Sequence, residues 1–239
     1  MSPSIRLIRS GYDVSAAVSQ LQAQPDIWNT HTLRTEAYQH RQVSDIWVRY
    51  NDWANWDGDV QAFNGPHESV WYPVIGRIPA VWSLVRRVMR DVGGRELGGV
   101  LITKIPPGGR VEPHIDHGWH ARHYEKFAVQ LQGNDRQAFC FEDAELRPQP
   151  GDLYTFDNSR LHWVTNDSDE DRMTLIICIR RDPMLRPDEM VPFDMYFASL
   201  VSMQVHPGAG TKEHKRLTLE ECKDMAMKMV EIRRQVGGR

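Results

Sequence analysis

Met173-Thr174-Leu175-Ile176-Ile177-Cys178-Ile179 carries almost no polar relief. A short, β-branched, apolar run of this kind reads as a strand buried on both faces. Arg172 leads into it, and a buried guanidinium is costly unless it meets an anion. Its planar fork offers two donors to one carboxylate. Two partners are open on sequence grounds: the carboxylate of a bound molecule, or one of the neighbouring acids Asp169, Glu170 and Asp171. Upstream, short apolar segments alternate with turn sequences over residues 97–181. Many short strands with few helices favour a sandwich or barrel with flanking helices, and a jelly-roll barrel suits this pattern.

His114-Ile115-Asp116 is the second constraint. Pro106-Pro107-Gly108-Gly109 reads as a turn, and residues 111–116 read as a short extended segment after it. Positions i and i+2 of a strand share a face, so His114 and Asp116 can reach one ion. A second histidine, His162, closes the stretch from Gly151, which reads as turn, strand and turn. Two imidazoles and one carboxylate form the facial triad of non-haem Fe(II) oxygenases, which leaves the opposite positions open. The ends of barrel strands can bring His114 and His162 to one mouth.

With these residues in place, the chain resembles the aspartyl/asparaginyl β-hydroxylase family of Fe(II)/2-oxoglutarate-dependent oxygenases, which includes proline hydroxylase-like members. The resemblance rests on Pro113-His114-Ile115-Asp116, on Gly151 through His162 with its Phe156-Asp157-Asn158-Ser159-Arg160-Leu161-His162 ending, and on Arg172. It spans residues 96–182. It implies a cupin-like double-stranded β-helix core and Fe(II) on His114, Asp116 and His162, which are thereby the catalytic centre. It places the far carboxylate of 2-oxoglutarate on Arg172, with O2 as the other cosubstrate. It also implies hydroxylation of an amino-acid-like side chain, free or in a peptide, with succinate and CO2 as co-products. Halogenating members of the wider superfamily lack the acidic ligand, so Asp116 favours hydroxylation. The family often carries Arg-x-His on the following strand. Here that stretch is Lys126-Phe127-Ala128, so Lys126 can supply the cation but Ala128 cannot replace the histidine.

The expected organisation is a single domain over residues 1–239. Residues 1–95 supply flanking strands and helices, 96–182 the core, and 183–239 a helical extension. A first strand is expected at residues 5–8 and a helix at 14–24, stopped by Pro25. Residues 44–50 alternate like a half-buried strand. Pro79 suits the first position of a helix whose apolar stripe is Val81, Leu84, Val85, Val88 and Met89, ended by Gly93-Gly94. Thr218-Leu219-Glu220-Glu221 fits a capping box for a last helix.

The net charge of −3, from 29 basic and 32 acidic residues, gives no bulk argument for nucleic acid or membrane. No apolar run approaches membrane-spanning length or a secretory signal, and three scattered cysteines read as buried thiols. A cytoplasmic protein is expected, with its oligomeric state open. His117, His120 and His123 crowd the first ligand pair. Such a tract also allows a non-catalytic metal-binding cupin module, although the three are expected at the pocket mouth or in solvent. Trp119 and Trp163 are candidates to wall the pocket. Trp47 and Trp82 are expected in the core, and Trp53 and Trp56 on a loop that either folds back or forms a substrate lid. Asn166 and Asp167 are expected as turn residues.

Overall fold

Eleven strands and four short helices are present in the computed structural model, which describes residues 3–181. The strands are β1 (Ile5–Arg9), β2 (Ser44–Tyr50), β3 (Val70–Trp71), β4 (Glu96–Ile105), β5 (Arg110–His114), β6 (Glu125–Gln132), β7 (Gln137–Phe141), β8 (Glu145–Leu146), β9 (Leu153–Phe156), β10 (His162–Asn166) and β11 (Arg172–Arg180). The helices are α1 (Ser15–Gln22), α2 (Val60–Phe63), α3 (Pro79–Val92) and α4 (Trp119–His123). The capping box at Thr218, its helix and Cys222 lie outside the described residues.

Two antiparallel sheets face each other. The larger runs β1-β9-β6-β11-β4-β2-β3 and the smaller β5-β10-β7-β8. Their facing sides form the interior of a jelly roll, the mainly β double-stranded β-helix that the family resemblance implies. The apolar run is β11, the middle strand of the larger sheet, paired with β4 on one side and β6 on the other. Its side chains are buried on both faces except for the half-buried Ile176 and Arg180. Ile105, Ala128, Phe139, Tyr154 and Val164 pack between the sheets.

Helix α3 begins with Pro79 at its first turn, where the missing N–H costs nothing, and ends at Gly93 with φ 68°. The predicted stripe of Val81, Leu84, Val85, Val88 and Met89 is buried. Arg86 lies over the half-buried Trp82 ring and Arg87 pairs with Asp91, while Arg90 projects into solvent.

One expectation needs correction. Residues 44–50 do not form a half-buried strand: Asp45 through Arg49 are all buried in β2. The strands of residues 1–95 stand at the edges of the larger sheet, β1 at one end and β2 and β3 at the other. The alternation of β2 misleads because its polar positions also point into packed regions. Asp45 receives both of its oxygens' hydrogen bonds from Arg34 Nη1, at 2.9 and 2.6 Å. The Arg49 guanidinium donates to the Leu97 and Gly98 carbonyls.

Candidate active site

β5 ends at His114, and β10 begins at His162, directly opposite it in the ladder. The pairing brings the two imidazoles to a centroid separation of 4.3 Å. Asp116 lies just past the strand. Its backbone N–H donates to the Asn158 carbonyl at 3.0 Å, and Asn158 Nδ2 donates to Asp116 Oδ2 at 3.2 Å. That leaves Oδ1 facing His114 Nε2 at 3.4 Å. One ligand atom from each of His114, Asp116 and His162 lies within 4.8 Å of the others.

The imidazole tautomers follow from their partners. Each Nδ1 lies 2.8 Å from a backbone carbonyl, that of Glu112 for His114 and that of Arg160 for His162. A carbonyl only accepts, so Nδ1 carries the proton and each Nε2 keeps a lone pair. Two such nitrogens and one carboxylate oxygen are a donor set that suits a non-haem iron. Burial pushes the Asp116 carboxyl up. The neighbouring Lys126 ammonium and the adjacent His114 and His162 rings oppose this and hold the carboxyl well below its usual range. Burial depresses the His162 pKa, which keeps the ring neutral. Asp116 and His162 are thus held in the protonation states that metal binding requires.

Arg172 lies in the same cavity and is only 2 % exposed. Its Nη1 donates to Thr174 Oγ1 at 2.8 Å and its Nη2 to the Tyr154 hydroxyl at 3.2 Å. Nε has no partner. Thr174 and Tyr154 in turn donate to Gln130 Oε1, at 3.2 and 3.4 Å. The neighbouring acids do not serve Arg172. Asp171 pairs with Lys104, Asp169 pairs with Arg136, and Glu170 accepts from Asn134. Among the described residues the guanidinium meets only neutral oxygens, so the cavity holds a buried, uncompensated cation. A carboxylate entering there would complete it.

Lys126 and Ala128 of β6 also line the cavity, as the register with β11 requires. Burial pushes the Lys126 ammonium down, but the neighbouring Cys178 and Asp116 charges more than offset this, and it stays protonated. Among the lining residues that sequence reasoning missed are Arg34 and His40. The 3-10 turn Tyr38–His40 places the His40 ring edge-on to His114, at 4.8 Å between centroids. Burial, then the charge of Arg34, lowers the His40 pKa to about 2. No periodicity marks this turn, so nothing in the sequence announced it.

Several neighbours of the ligands lie elsewhere than expected. His120 is not at the mouth: it is buried between Tyr50 and Tyr124, and its Nε2 accepts from the Gly99 N–H at 3.3 Å. His123 stacks on Trp119 and faces Glu96, while His117 is exposed. Trp119 and Trp163 do not line the cavity. Trp163 follows His162 on a strand, and alternation turns it to the other face. Trp53 and Trp56 fold back onto Phe63, and His31 stacks on Trp53 at 4.4 Å. Asn166 is fully buried and is more than a turn residue. Its Nδ2 donates to the carbonyls of Ile105, Pro106 and Glu170 and so ties the turn after β4 to the β10–β11 connection.

The chain belongs to the aspartyl/asparaginyl beta-hydroxylase family, whose model matches residues 17–182. It is accordingly a 2-oxoglutarate-dependent hydroxylase, an enzyme class whose cofactors are Fe(II), 2-oxoglutarate and O2, and it is not a non-catalytic metal-binding module. Among solved structures it is similar to an oxidoreductase of the 2OG-Fe(II) oxygenase family from Burkholderia pseudomallei. That similarity has a TM-score of 0.50 and 13% identity over 75% of this chain and 86% of the other. It is also similar to a prolyl hydroxylase from Trichoplax adhaerens solved with a hypoxia inducible factor peptide fragment, at TM-score 0.47 and 14% identity over 77% and 88%. A viral collagen prolyl hydroxylase from Paramecium bursaria Chlorella virus-1 aligns at TM-score 0.44 and 11% identity over 75% and 97%. No curated protein matches the sequence. Among the described residues no helix is long and apolar enough to cross a membrane.

Proposed function

We propose that this hydroxylase holds Fe(II) on His114, Asp116 and His162, and 2-oxoglutarate between Arg172 and Lys126. On this reading it hydroxylates an amino-acid-like side chain, free or within a peptide, and releases succinate and CO2. The observation that carries the reading is Arg172: a buried guanidinium with neutral partners, in the cavity that contains the three ligand atoms.

When bound, the iron and 2-oxoglutarate supply the oxidising chemistry. The protein's own part is positional. The Glu112 and Arg160 carbonyls fix the two imidazoles, and Asn158 fixes the carboxylate. Thr174, Tyr154 and Gln130 hold the Arg172 fork in one orientation, ready for the far carboxylate of the cosubstrate. Lys126 offers a charge to the nearer carboxylate in place of the missing Arg-x-His pair. Val111, Phe139, Phe156 and Val164 wall the cavity with apolar surface and keep water from the reacting centre. The family's namesake substrates make aspartyl and asparaginyl side chains, free and in short peptides, the first compounds to screen.

The test needs no substrate. Protein supplied with Fe(II), ascorbate, O2 and 2-oxoglutarate is expected to form succinate above a His162→Ala control. In anaerobic binding, Arg172→Ala is expected to lose 2-oxoglutarate while retaining iron. Wild-type protein that binds iron but neither consumes nor binds 2-oxoglutarate would sink the proposal.

A further inference from the structure

Lys126 has an unusual neighbour that its proposed role does not require. It stands opposite Cys178 in the β6–β11 ladder, so the two side chains share a face. The Lys126 Nζ lies 3.1 Å from the Cys178 Sγ. This is the ammonium's only hydrogen bond among the described residues, and sulfur is a weak acceptor. A half-buried lysine satisfied by sulfur, with no oxygen acceptor among the described residues, brings an amine and a thiol into near contact. Lys126 lines the cavity, as does Ile176, two residues before Cys178 on the same face of β11. A small oxidant that enters the cavity therefore arrives beside the pair, and dioxygen is a cosubstrate of this enzyme class.

We propose that Lys126 and Cys178 are an oxidation site, at which the amine and thiol become joined through one oxygen atom. The N–H and S–H bonds break and N–O and O–S bonds form. The Lys126 ammonium first gives up a proton to solvent; with dioxygen, one amine, one thiol and one O2 then give the N–O–S bridge and one water. Nitrogen and sulfur each lose two electrons, and dioxygen takes all four. With hydrogen peroxide, two molecules serve and three waters leave. A thiol reductant returns the amine and thiol. Cys140 provides an internal contrast. Its Sγ lies 3.9 Å from a Glu145 carboxylate oxygen, and burial followed by that charge pushes its thiol up to about 11. It has a carboxylate where Cys178 has an amine.

The bridge has a consequence that rests on the proposed cosubstrate role of Lys126. It removes the ammonium's charge and ties the nitrogen to β11, so oxidation weakens 2-oxoglutarate binding. Full-length protein treated with hydrogen peroxide is digested and its peptides weighed. The expected product is a cross-linked pair from β6 and β11, heavier than the two peptides by one oxygen and lighter by two hydrogens. Dithiothreitol should split it, and it should be absent from Cys178→Ser and Lys126→Met. Recovery of Cys178 only as free thiol, sulfenic or sulfinic acid, or a disulfide overturns the proposal. Anaerobic 2-oxoglutarate binding separates the two readings. Oxidised wild type should bind about tenfold more weakly, as for one lost charge-assisted hydrogen bond. Cys178→Ser should bind normally before and after oxidation. A bridge that leaves binding unchanged refutes the cosubstrate role of Lys126 and leaves the oxidation site standing.

Discussion

At the scale of single residues, the candidate centre is built by groups that touch no ligand of their own. Asn158 donates to Asp116 and also supplies the carbonyl that holds the Asp116 backbone. Removing the side chain in Asn158→Ala should weaken iron binding by about tenfold or more, the usual cost of losing such a support. Equilibrium dialysis against Fe(II) measures this, and unchanged affinity would show that the backbone bond alone positions Asp116. His120 gives a second prediction, on stability. Burial, then the charges of Lys126, His67 and His123, lowers its pKa from 6.5 to about 2. Below about pH 6.5 the unfolded chain takes up a proton that the folded chain refuses. The His120 contribution is therefore complete above pH 6.5 and declines as pH falls towards 2. Urea unfolding between pH 7 and 5 should show stability rising with pH, and His120→Gln should reduce that slope by about one proton. Equal slopes in the two proteins would contradict the buried, neutral assignment.

At the scale of elements, α3 separates packing from backbone conformation. Met89 is 1% exposed, and Met89→Ala should cost about 2–5 kcal/mol by cavity formation. Arg90 points into solvent, and Arg90→Ala should fall within about 0.5 kcal/mol of wild type. Gly93 has φ 68°, and an added Cβ meets nothing within 4 Å. Gly93→Ala should therefore cost about 1 kcal/mol through backbone strain alone. Denaturant midpoints rank the three, and a large loss in Arg90→Ala would reveal packing that the stripe does not predict. The strand elements carry the site in a different way. On β11, residues 172, 174 and 176 all line the cavity, while the intervening 173, 175 and 177 are buried on the other face. One strand thus supplies a cation, a hydroxyl and an apolar wall at every second residue.

At the scale of the whole molecule, the two sheets hold an uncompensated charge between them, and ligand binding should be visible as folding stability. Ligand at about 100 times its dissociation constant adds about 2.7 kcal/mol. Fe(II), or a redox-inert divalent ion in its place, should raise the melting temperature, and 2-oxoglutarate added anaerobically should raise it again. Arg172→Ala should keep the first increment and lose the second, and His114→Ala should lose the first. Thermal melts with each addition made separately check this. Loss of both increments in Arg172→Ala would mean that the guanidinium holds the barrel together and does not serve a ligand.

The candidate pair His114 and Asp116, the distant His162 that clusters with them, the buried Arg172 strand and the α3 stripe were all legible in the sequence. Each is a local signal: a spacing, a period, a turn residue, or a charge beside an apolar run. The partners were not. Sequence proximity left Asp169, Glu170 and Asp171 open to Arg172, and only the ladder turned them towards Lys104, Arg136 and Asn134. It equally suggested His120 and Trp163 for the pocket, whereas strand alternation and the α4 turn carry them away from it. Arg34, His40 and the Lys126–Cys178 contact join residues far apart in the chain through the pairing of β6 with β11 and the packing of a 3-10 turn on β5. Local chemistry determines which residues can bind a metal or a carboxylate. Sheet register, which displaces every side chain to the opposite face when it slips by one residue, decides which of them meet.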